Sequence, residues 1–107
     1  MTYNTLNWNS TRSIIESEAI VNSANNTITR IRVVQLSKDE FILLLKLSWR
    51  ADEVYLSTLR SRNQPRIFKH AGRLLEYICS NYSSIKEVTI CLDLETVSSF
   101  GYVPVHD

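Results

Sequence analysis

The sequence predicts an α+β fold: an antiparallel four-stranded meander, followed by one long helix and a further short strand. Three observations lead to this class. Turn-forming residues recur about every dozen positions in the first half of the chain, which is the rhythm of strands joined by short hairpins. Between these turns apolar residues alternate, as in strands that bury one side. After Pro65 the apolar period changes to that of a helix.

The meander rests on four β-rich segments. They span residues 13–22, 27–36, 41–49 and 54–59. The third segment alternates most clearly, because every second residue from Phe41 to Trp49 is apolar. We therefore expect Trp49 to complete the apolar face in the core, while Ile42 and Leu44 lie on the opposite, partly exposed side.

The helix is expected to begin at Pro65, because proline lacks an N–H group that the first turn would leave unpaired. Its apolar residues recur at helical spacing as far as Tyr82. Gly72 lies within the helix and costs about 1 kcal/mol relative to alanine, so we expect close packing on the sheet there. A fifth strand is expected at residues 86–92, and a loosely docked tail at residues 94–107.

Length and composition favour a single domain that covers residues 1–107. Hydrophobic residues make up 44% of the chain and charged residues 21%, which is ordinary for a globular protein. The longest apolar run, residues 41–45, is too short for a membrane helix, and the first residues lack the pattern of a signal peptide. Without an export signal, Cys79 and Cys91 are expected to be reduced and mostly buried, and the cytoplasm is the expected compartment.

The pattern of polar residues does not point to catalysis. The two histidines, His70 and His106, have no cysteine or acidic neighbour at the spacing of a triad or a metal site. The two glycines, Gly72 and Gly101, exclude a P-loop and a dinucleotide-binding fingerprint. We therefore expect a non-enzymatic protein that needs no cofactor and no metal.

The strongest functional signal is a basic stretch, residues 60–73. It contains four arginines, one lysine and no acid, in a chain whose net charge is only +1. Arginine forks onto phosphate oxygens, and a surface that serves only solubility normally mixes both signs. Outward cations of the sheet extend the same field. The candidate nucleic-acid-binding residues are Arg30, Arg32, Lys46, Arg50, Arg60, Arg62, Arg66, Lys69 and Arg73.

A plainer interpretation stands beside DNA binding, since most charged helix faces are simply solvated. Tyr55, expected on the outer side of the fourth strand, likewise fits a cross-strand aromatic better than a platform for a base. A nearly neutral monomer would hold DNA weakly. A homodimer would double the basic surface, and Ile42, Leu44 or the edge of the fourth strand offer contacts for one.

Residues 41–78 resemble a family of small plasmid-encoded partition-associated proteins. In that family an apolar strand ends in Leu-x-Trp-Lys/Arg, a turn and a Leu-x-Thr-x-Arg-like strand follow, and Pro-Arg-x-Phe precedes an amphipathic helix. The matching residues are Leu47, Trp49, Arg50, Leu56, Thr58, Arg60, Pro65, Arg66, Phe68, Leu74 and Ile78. The resemblance implies an accessory role in plasmid maintenance and provides no catalytic residues to carry over.

Two function hypotheses follow. In the first, a partition-associated accessory protein binds single- or double-stranded DNA through the basic stretch. In the second, a protein-interaction module docks on a partition or regulatory partner and never contacts nucleic acid. If the arginines of residues 60–73 diverge or pair with acids, the DNA hypothesis loses its main support.

Overall fold

The computed structural model describes residues 10–91, together with the backbone of two short terminal strands. These residues form an α+β fold with a five-stranded mixed sheet, a separate pair of strands and two helices. The strands are β1 (Tyr3–Asn4), β2 (Ser13–Ile15), β3 (Ile28–Ser37), β4 (Glu40–Leu47), β5 (Val54–Ser57), β6 (Thr89–Cys91) and β7 (Val103–Pro104). The helices are α1 (Glu16–Ala24) and α2 (Ala71–Asn81), and a 3₁₀ turn covers Ser10–Arg12.

The sheet has the strand order β2-β5-β4-β3-β6. Its three central strands are antiparallel neighbours, with Val33 opposite Leu43 and Leu45 opposite Val54. The two edge strands run parallel to their neighbours, β2 beside β5 and β6 beside β3. β1 and β7 form their own antiparallel pair. The α+β class is confirmed, but the predicted four-stranded meander is wrong: only three consecutive strands are antiparallel, and the sheet is mixed.

The predicted first strand, residues 13–22, is mostly helix. Only Ser13–Ile15 is a strand, and α1 follows it directly. Glu18 accepts a 3.2 Å hydrogen bond from the backbone N–H of Ile15, and Glu16 adds a second negative charge to the first turn. Both acids stabilise a helix N-terminus, because they offset its unpaired N–H groups. This local capping outweighs the β propensity of the apolar residues that follow.

The predicted start of the long helix is also wrong, because α2 begins only at Ala71. The segment before it hydrogen-bonds with the sheet instead. The backbone N–H of Arg66 donates to the carbonyl of Leu56 at 2.8 Å. Phe68 and Phe41 exchange two backbone bonds of 2.8 and 2.9 Å. Backbone groups already paired with β4 and β5 cannot join a helical ladder, so the helix begins after them.

The main core lies between one face of the sheet and the two helices. Alternate residues of the central strands contribute to it, together with Ala19 of α1 and with Leu74 and Ile78 of α2. The buried members are Ile14, Ala19, Ile28, Ile31, Val33, Leu43, Leu45, Leu47, Val54, Leu56, Leu74, Ile78 and Tyr82. The helices are thus held against the sheet by apolar burial, at roughly 25 cal/mol per Å² removed from water.

The opposite face of the sheet holds a second buried cluster. Its members are Val34, Leu36, Ile42, Leu44 and Tyr55. Ile42 and Leu44 are fully buried, and β5 lies between β4 and β2, so the dimer contacts expected from these features are not available. Tyr55 is fully buried as well, and its hydroxyl donates a 2.7 Å hydrogen bond to the carbonyl of Arg62. It therefore offers no face to a base.

Three expectations about single residues fail. Trp49 lies beyond the end of β4 and is 64% exposed, so it is not a core residue. A Cβ atom added at Gly72 would meet nothing within 4 Å, so this glycine does not mark close packing on the sheet. Cys79 is exposed and Cys91 half-buried, although both are free thiols as expected.

The predicted tail, residues 94–107, lies outside the described residues, except for the backbone of Val103–Pro104 in β7. His106 is outside them as well. Within the part of the chain that the structure describes, neither helix has the length and apolar character that crossing a membrane requires.

Candidate functional site

The sheet cations of the predicted nucleic-acid surface are neutralised by acids. Arg32 makes a two-pronged pair with Glu53, one of its bonds being 2.9 Å long, and Arg30 approaches the same carboxylate at 3.3 Å. The Arg32 and Glu53 side chains are only 19% and 11% exposed. The hydrogen bond to Glu53 raises the pKa of Arg32 further above its ordinary value. This guanidinium is built into the fold and is not presented to a ligand.

Two more of these cations interact with the turn after β4: Arg50, which lies in the turn, and Lys46, which lies in β4. Arg50 donates two hydrogen bonds to Asp52, of 2.7 and 3.2 Å, and Arg12 pairs with the same carboxylate at 3.2 Å. These hydrogen bonds lower the pKa of Asp52. Lys46 donates to the backbone carbonyls of Leu47, at 2.6 Å, and of Arg50. The two cations therefore stabilise the turn.

Most of the basic stretch pairs with acids from distant parts of the chain. Arg62 contacts Glu18 of α1 at 2.5 Å, and Lys69 contacts Glu40 of β4 at 3.0 Å. Arg66 lies 3.6 Å from Glu16, which is an ion pair rather than a hydrogen bond. Each pair is worth only about 0–1 kcal/mol to stability, and the nearby carboxylate offsets part of the cation's attraction for a phosphate.

The predicted set does not form one surface. Arg30 and Arg32 alternate with Val34 and so share the second face of the sheet. Ile67 packs against this second face, and the neighbouring Arg66 points the other way. Arg66 therefore lies on the side of the sheet that the helices cover, next to Tyr77 of α2. Among the described residues, no acid pairs with Arg60 or Arg73.

A different site lies where α1 meets the turn after β4. It is an open groove of about 450 Å³, which we call the Trp49 groove. Its lining residues are Ser13, Ile14, Ser17, Glu18, Val21, Asn22, Leu47, Trp49, Arg50, Val54 and Arg62. Buried residues of the main core contribute to the lining, and two exposed apolar side chains flank it, Trp49 at 64% and Val21 at 58%. The volume falls in the range of sites that accept an organic group.

The exposed indole of Trp49 is fixed in place. Its Nε1–H donates a 2.9 Å hydrogen bond to Oδ1 of Asn22. That oxygen also accepts a 2.6 Å bond from Thr27, and Nδ2 of Asn22 donates to the carbonyl of Glu18 at 2.9 Å. Two further hydrogen bonds therefore anchor the amide that holds the ring. An exposed aromatic group that is already ordered loses little entropy when it binds.

The groove has its own charge balance. Arg62 and Glu18 pair across it, and Arg50 is paired with Asp52. The Nε atom of Arg62 is buried and finds no hydrogen-bond partner among the described residues. The charges at the rim of the groove neutralise one another, and its floor is apolar. Such a groove can bind an apolar side chain that has polar groups beside it. It exerts no long-range attraction on a polyanion.

A second concavity, of about 420 Å³, lies at the start of α2, and we call it the α2 pocket. Its lining residues are Arg66, Ile67, Phe68, Lys69, His70, Arg73 and Tyr77. The guanidinium of Arg66 lies over two rings, 4.8 Å from the centroid of Phe68 and 5.0 Å from that of Tyr77. The pocket therefore combines cations with an aromatic wall.

The aromatic wall continues into the core through Tyr82. Its hydroxyl donates to that of Tyr77 at 3.4 Å, and the two rings meet edge to face with centroids 5.7 Å apart. Burial raises the pKa of Tyr77 far above its ordinary value, and the contact with Tyr82 adds to the shift. Burial also raises the pKa of Tyr82. Both hydroxyls are therefore neutral at physiological pH and act as packing groups.

Sequence reasoning missed the residues of α1 that line the Trp49 groove, because it placed them in a strand. The acids Glu16 and Glu18, at the start of an apolar run, were the available signal for a helix there. His70, the predicted mid-helix histidine, instead precedes the first turn of α2. Within the described residues, no group of three or more histidine, cysteine or acidic side chains could hold a metal ion. A scan of protein-family models and searches of curated proteins and solved structures find no match to this chain.

Proposed function

We propose that this chain is a non-enzymatic protein-interaction module that seats an apolar side chain of a partner protein in the Trp49 groove. The observation that carries the proposal is the geometry of Trp49, which is 64% exposed yet hydrogen-bonded to Asn22. Tryptophan is among the commonest anchors of protein interfaces, where one residue often contributes 2 kcal/mol or more, to give a rough figure. Val21 extends the same apolar surface.

The charge arrangement favours this function over DNA binding. Five carboxylates lie within 4 Å of cations that were expected to bind phosphate: Glu16, Glu18, Glu40, Asp52 and Glu53. A DNA strand would have to approach these carboxylates as closely as the cations. A partner that contributes apolar contact area meets no such repulsion.

The resemblance to partition-associated proteins supplies the class of partner. A partition or regulatory protein in the cytoplasm is the partner that the proposal names. The matching motif Leu-x-Trp-Arg includes Leu47, Trp49 and Arg50, and all three line the Trp49 groove. The residues that carry the resemblance thus overlap the residues that carry the proposal.

Selection from a random peptide library tests the proposal without a known partner. We expect enriched peptides to share an apolar anchor and to bind with an affinity that changes little with salt. Trp49→Ala should weaken the best peptide by about thirtyfold, which corresponds to roughly 2 kcal/mol. Val21→Asp should weaken it by a similar factor.

The controls are substitutions of exposed apolar residues away from the groove. Leu75 is 43% exposed and Ile90 58%, so Leu75→Ser and Ile90→Ser remove apolar surface without touching the site. Both should bind the peptide like the wild type. Peptides that bind Trp49→Ala as tightly as the wild type would contradict the proposal. If the protein dimerises and Trp49→Ala abolishes the dimer, a second copy of the chain occupies the groove. That result would contradict the proposal of a different partner protein.

DNA binding is kept as a second candidate because of one observation. Arg60 and Arg73 have no acidic partner among the described residues, and both belong to the basic stretch. Two phosphate contacts predict a salt slope of only about −2, so affinity should fall about tenfold between 50 and 200 mM salt. Fluorescence anisotropy with labelled single-stranded and duplex DNA tests this candidate. Binding that survives Arg60→Ala/Arg73→Ala would contradict it.

A further inference from the structure

The start of α2 lacks the groups that normally stabilise a helix N-terminus. His70 occupies the cap position without a side-chain hydrogen bond, and the first turn contains no acid. The first turn contains Arg73 instead, and Lys69 precedes the cap. Cations at this end oppose the helix dipole, and the first N–H groups of a helix have no partner within it. α1 shows the ordinary arrangement, with Glu16 and Glu18 in its first turn.

These cations line the α2 pocket, where an anion would relieve their repulsion. Lys69 is 61% exposed and pairs with Glu40, whose side chain is only 15% exposed. Arg73 has no acidic partner in the described part of the chain.

Two aromatic rings and the guanidinium of Arg66 form another part of the pocket lining. Arg66 lies over the rings of Phe68 and Tyr77, which are 5.3 Å apart and tilted. Phe68 is also paired through its backbone with Phe41 of β4. These contacts hold the planar guanidinium of Arg66 in place, and planar groups of this kind stack on heteroaromatic rings.

We propose that the α2 pocket binds a phosphate monoester attached to a planar ring, as in a nucleoside monophosphate. The phosphate contacts Arg73, Lys69 and the free N–H groups at the start of α2. The ring stacks on the guanidinium of Arg66. The inference goes beyond the proposed function and does not depend on the Trp49 groove.

A small ligand fits better than a nucleic-acid strand. The pocket measures about 420 Å³, within the range of small-molecule sites. A nucleic-acid strand would need further cations beyond the pocket to bind its successive phosphates. The neighbouring cations are paired with acids, Arg62 with Glu18 and Arg30 with Glu53. The pocket therefore attracts a single phosphate group, and the surface around it does not attract the successive phosphates of a strand.

Isothermal titration calorimetry with four probes tests the inference on the full chain. The probes are adenosine 5′-monophosphate, inorganic phosphate, adenosine, and a single-stranded oligonucleotide without a terminal phosphate. We expect the monophosphate to bind about tenfold more tightly than inorganic phosphate, because stacking adds roughly 1–3 kcal/mol. Adenosine should not bind measurably, and the oligonucleotide should bind more weakly than the monophosphate.

Substitutions locate the site and separate it from general loss of structure. Arg73→Gln should weaken the monophosphate at least tenfold, while Arg60→Gln, which removes an exposed cation outside the pocket, should leave it unchanged. Circular dichroism should show that both variants keep the wild-type helix content. Backbone amide resonances of Gly72 and Arg73 should shift as the monophosphate binds.

Two outcomes overturn the inference. One is the absence of saturable binding by both the monophosphate and inorganic phosphate. The other is an oligonucleotide that binds as tightly as the monophosphate and loses affinity in Arg73→Gln, because the ligand would then be a nucleic-acid backbone.

Discussion

Trp49 and Asn22 are 27 positions apart in the chain and are joined by a 2.9 Å hydrogen bond from the indole nitrogen to the amide oxygen. This bond connects α1 to the turn after β4 across the Trp49 groove. It keeps an exposed aromatic ring ordered, and the proposed function depends on that order.

Replacing Asn22 should loosen the ring and weaken the fold. Asn22→Ala removes the acceptor of the Trp49 hydrogen bond and leaves the Thr27 hydroxyl with only the backbone carbonyl of residue 22 among its two present acceptors. We expect the free energy of unfolding in urea to fall by about 1 kcal/mol. The chain has two tryptophans, so Trp8→Phe leaves Trp49 as the one fluorescent tryptophan. In that background, Asn22→Ala should also lower the fluorescence anisotropy of Trp49. Asn63→Ala, at an exposed turn position, is the matched control and should change neither quantity.

Removing the charge of Glu53 should destabilise the sheet. Glu53→Gln leaves the partly buried guanidinium of Arg32 without a counter-charge. The expected loss in the free energy of unfolding is about 1–2 kcal/mol, which is typical of a hydrogen-bonded charge that loses its partner. Glu87→Gln, at an exposed position, should have no effect. Equal stability of the two variants would mean that the Arg32 pair contributes nothing to the fold.

The buried tyrosines predict a loss of stability at high pH. Burial raises the folded-state pKa of Tyr77 and of Tyr82 above the unfolded value of about 10. A raised pKa means that the folded state holds its proton more tightly, so the stabilisation is complete below pH 10 and is lost as pH rises further. The slope should be about 1.4 kcal/mol per pH unit for each tyrosine that stays protonated.

Urea unfolding at pH 9, 10 and 11 measures this slope. Tyr77→Phe keeps the ring and removes the titrating group, so its stability should fall less steeply than that of the wild type. The part of the tyrosine absorbance change at 295 nm that Tyr77→Phe removes should appear in the wild type only as the chain unfolds. A wild-type slope equal to that of Tyr77→Phe would show that Tyr77 ionises without cost in the folded state.

Reversing the charge of Arg73 should stabilise α2. Arg73→Glu places an acid in a first turn that has none, and the expected gain is about 0.5 kcal/mol at low salt. Since the effect is electrostatic, it should shrink at high salt. Arg60→Glu, outside the helix, should give no such gain. A destabilised Arg73→Glu would show that the cation has a structural partner.

The strands with strong alternation could be predicted from the sequence, and the weaker elements could not. β3, β4 and β5 match the predicted segments to within two residues at each end, because their apolar period extends over a buried face. The segment 13–22 failed because side-chain capping by Glu18 decides its structure, and capping depends on one residue rather than on a period. The prediction that Trp49 lies in the core was wrong because it extended the alternation beyond Leu47, where β4 ends.

The candidate site was beyond sequence reasoning for a physical reason. The basic stretch contains no acid of its own, yet Arg62 pairs with Glu18, 44 positions away, and Lys69 with Glu40, 29 positions away. Only the fold brings these charges together. The Trp49 groove likewise joins α1 to a turn that follows two further strands. Local sequence could identify the cations and the tryptophan, but not what each one faces.

The most direct test of the central claim, that the Trp49 groove is the functional surface, is a nitrogen–proton correlation spectrum recorded during titration. Labelled protein would be titrated with the best selected peptide and, separately, with DNA. We expect the Trp49 indole and Val21 amide resonances to shift saturably with the peptide and to stay in place with DNA. A peptide that leaves the indole resonance unmoved, or DNA that shifts the amides of residues 60–73 with high affinity, would contradict the account.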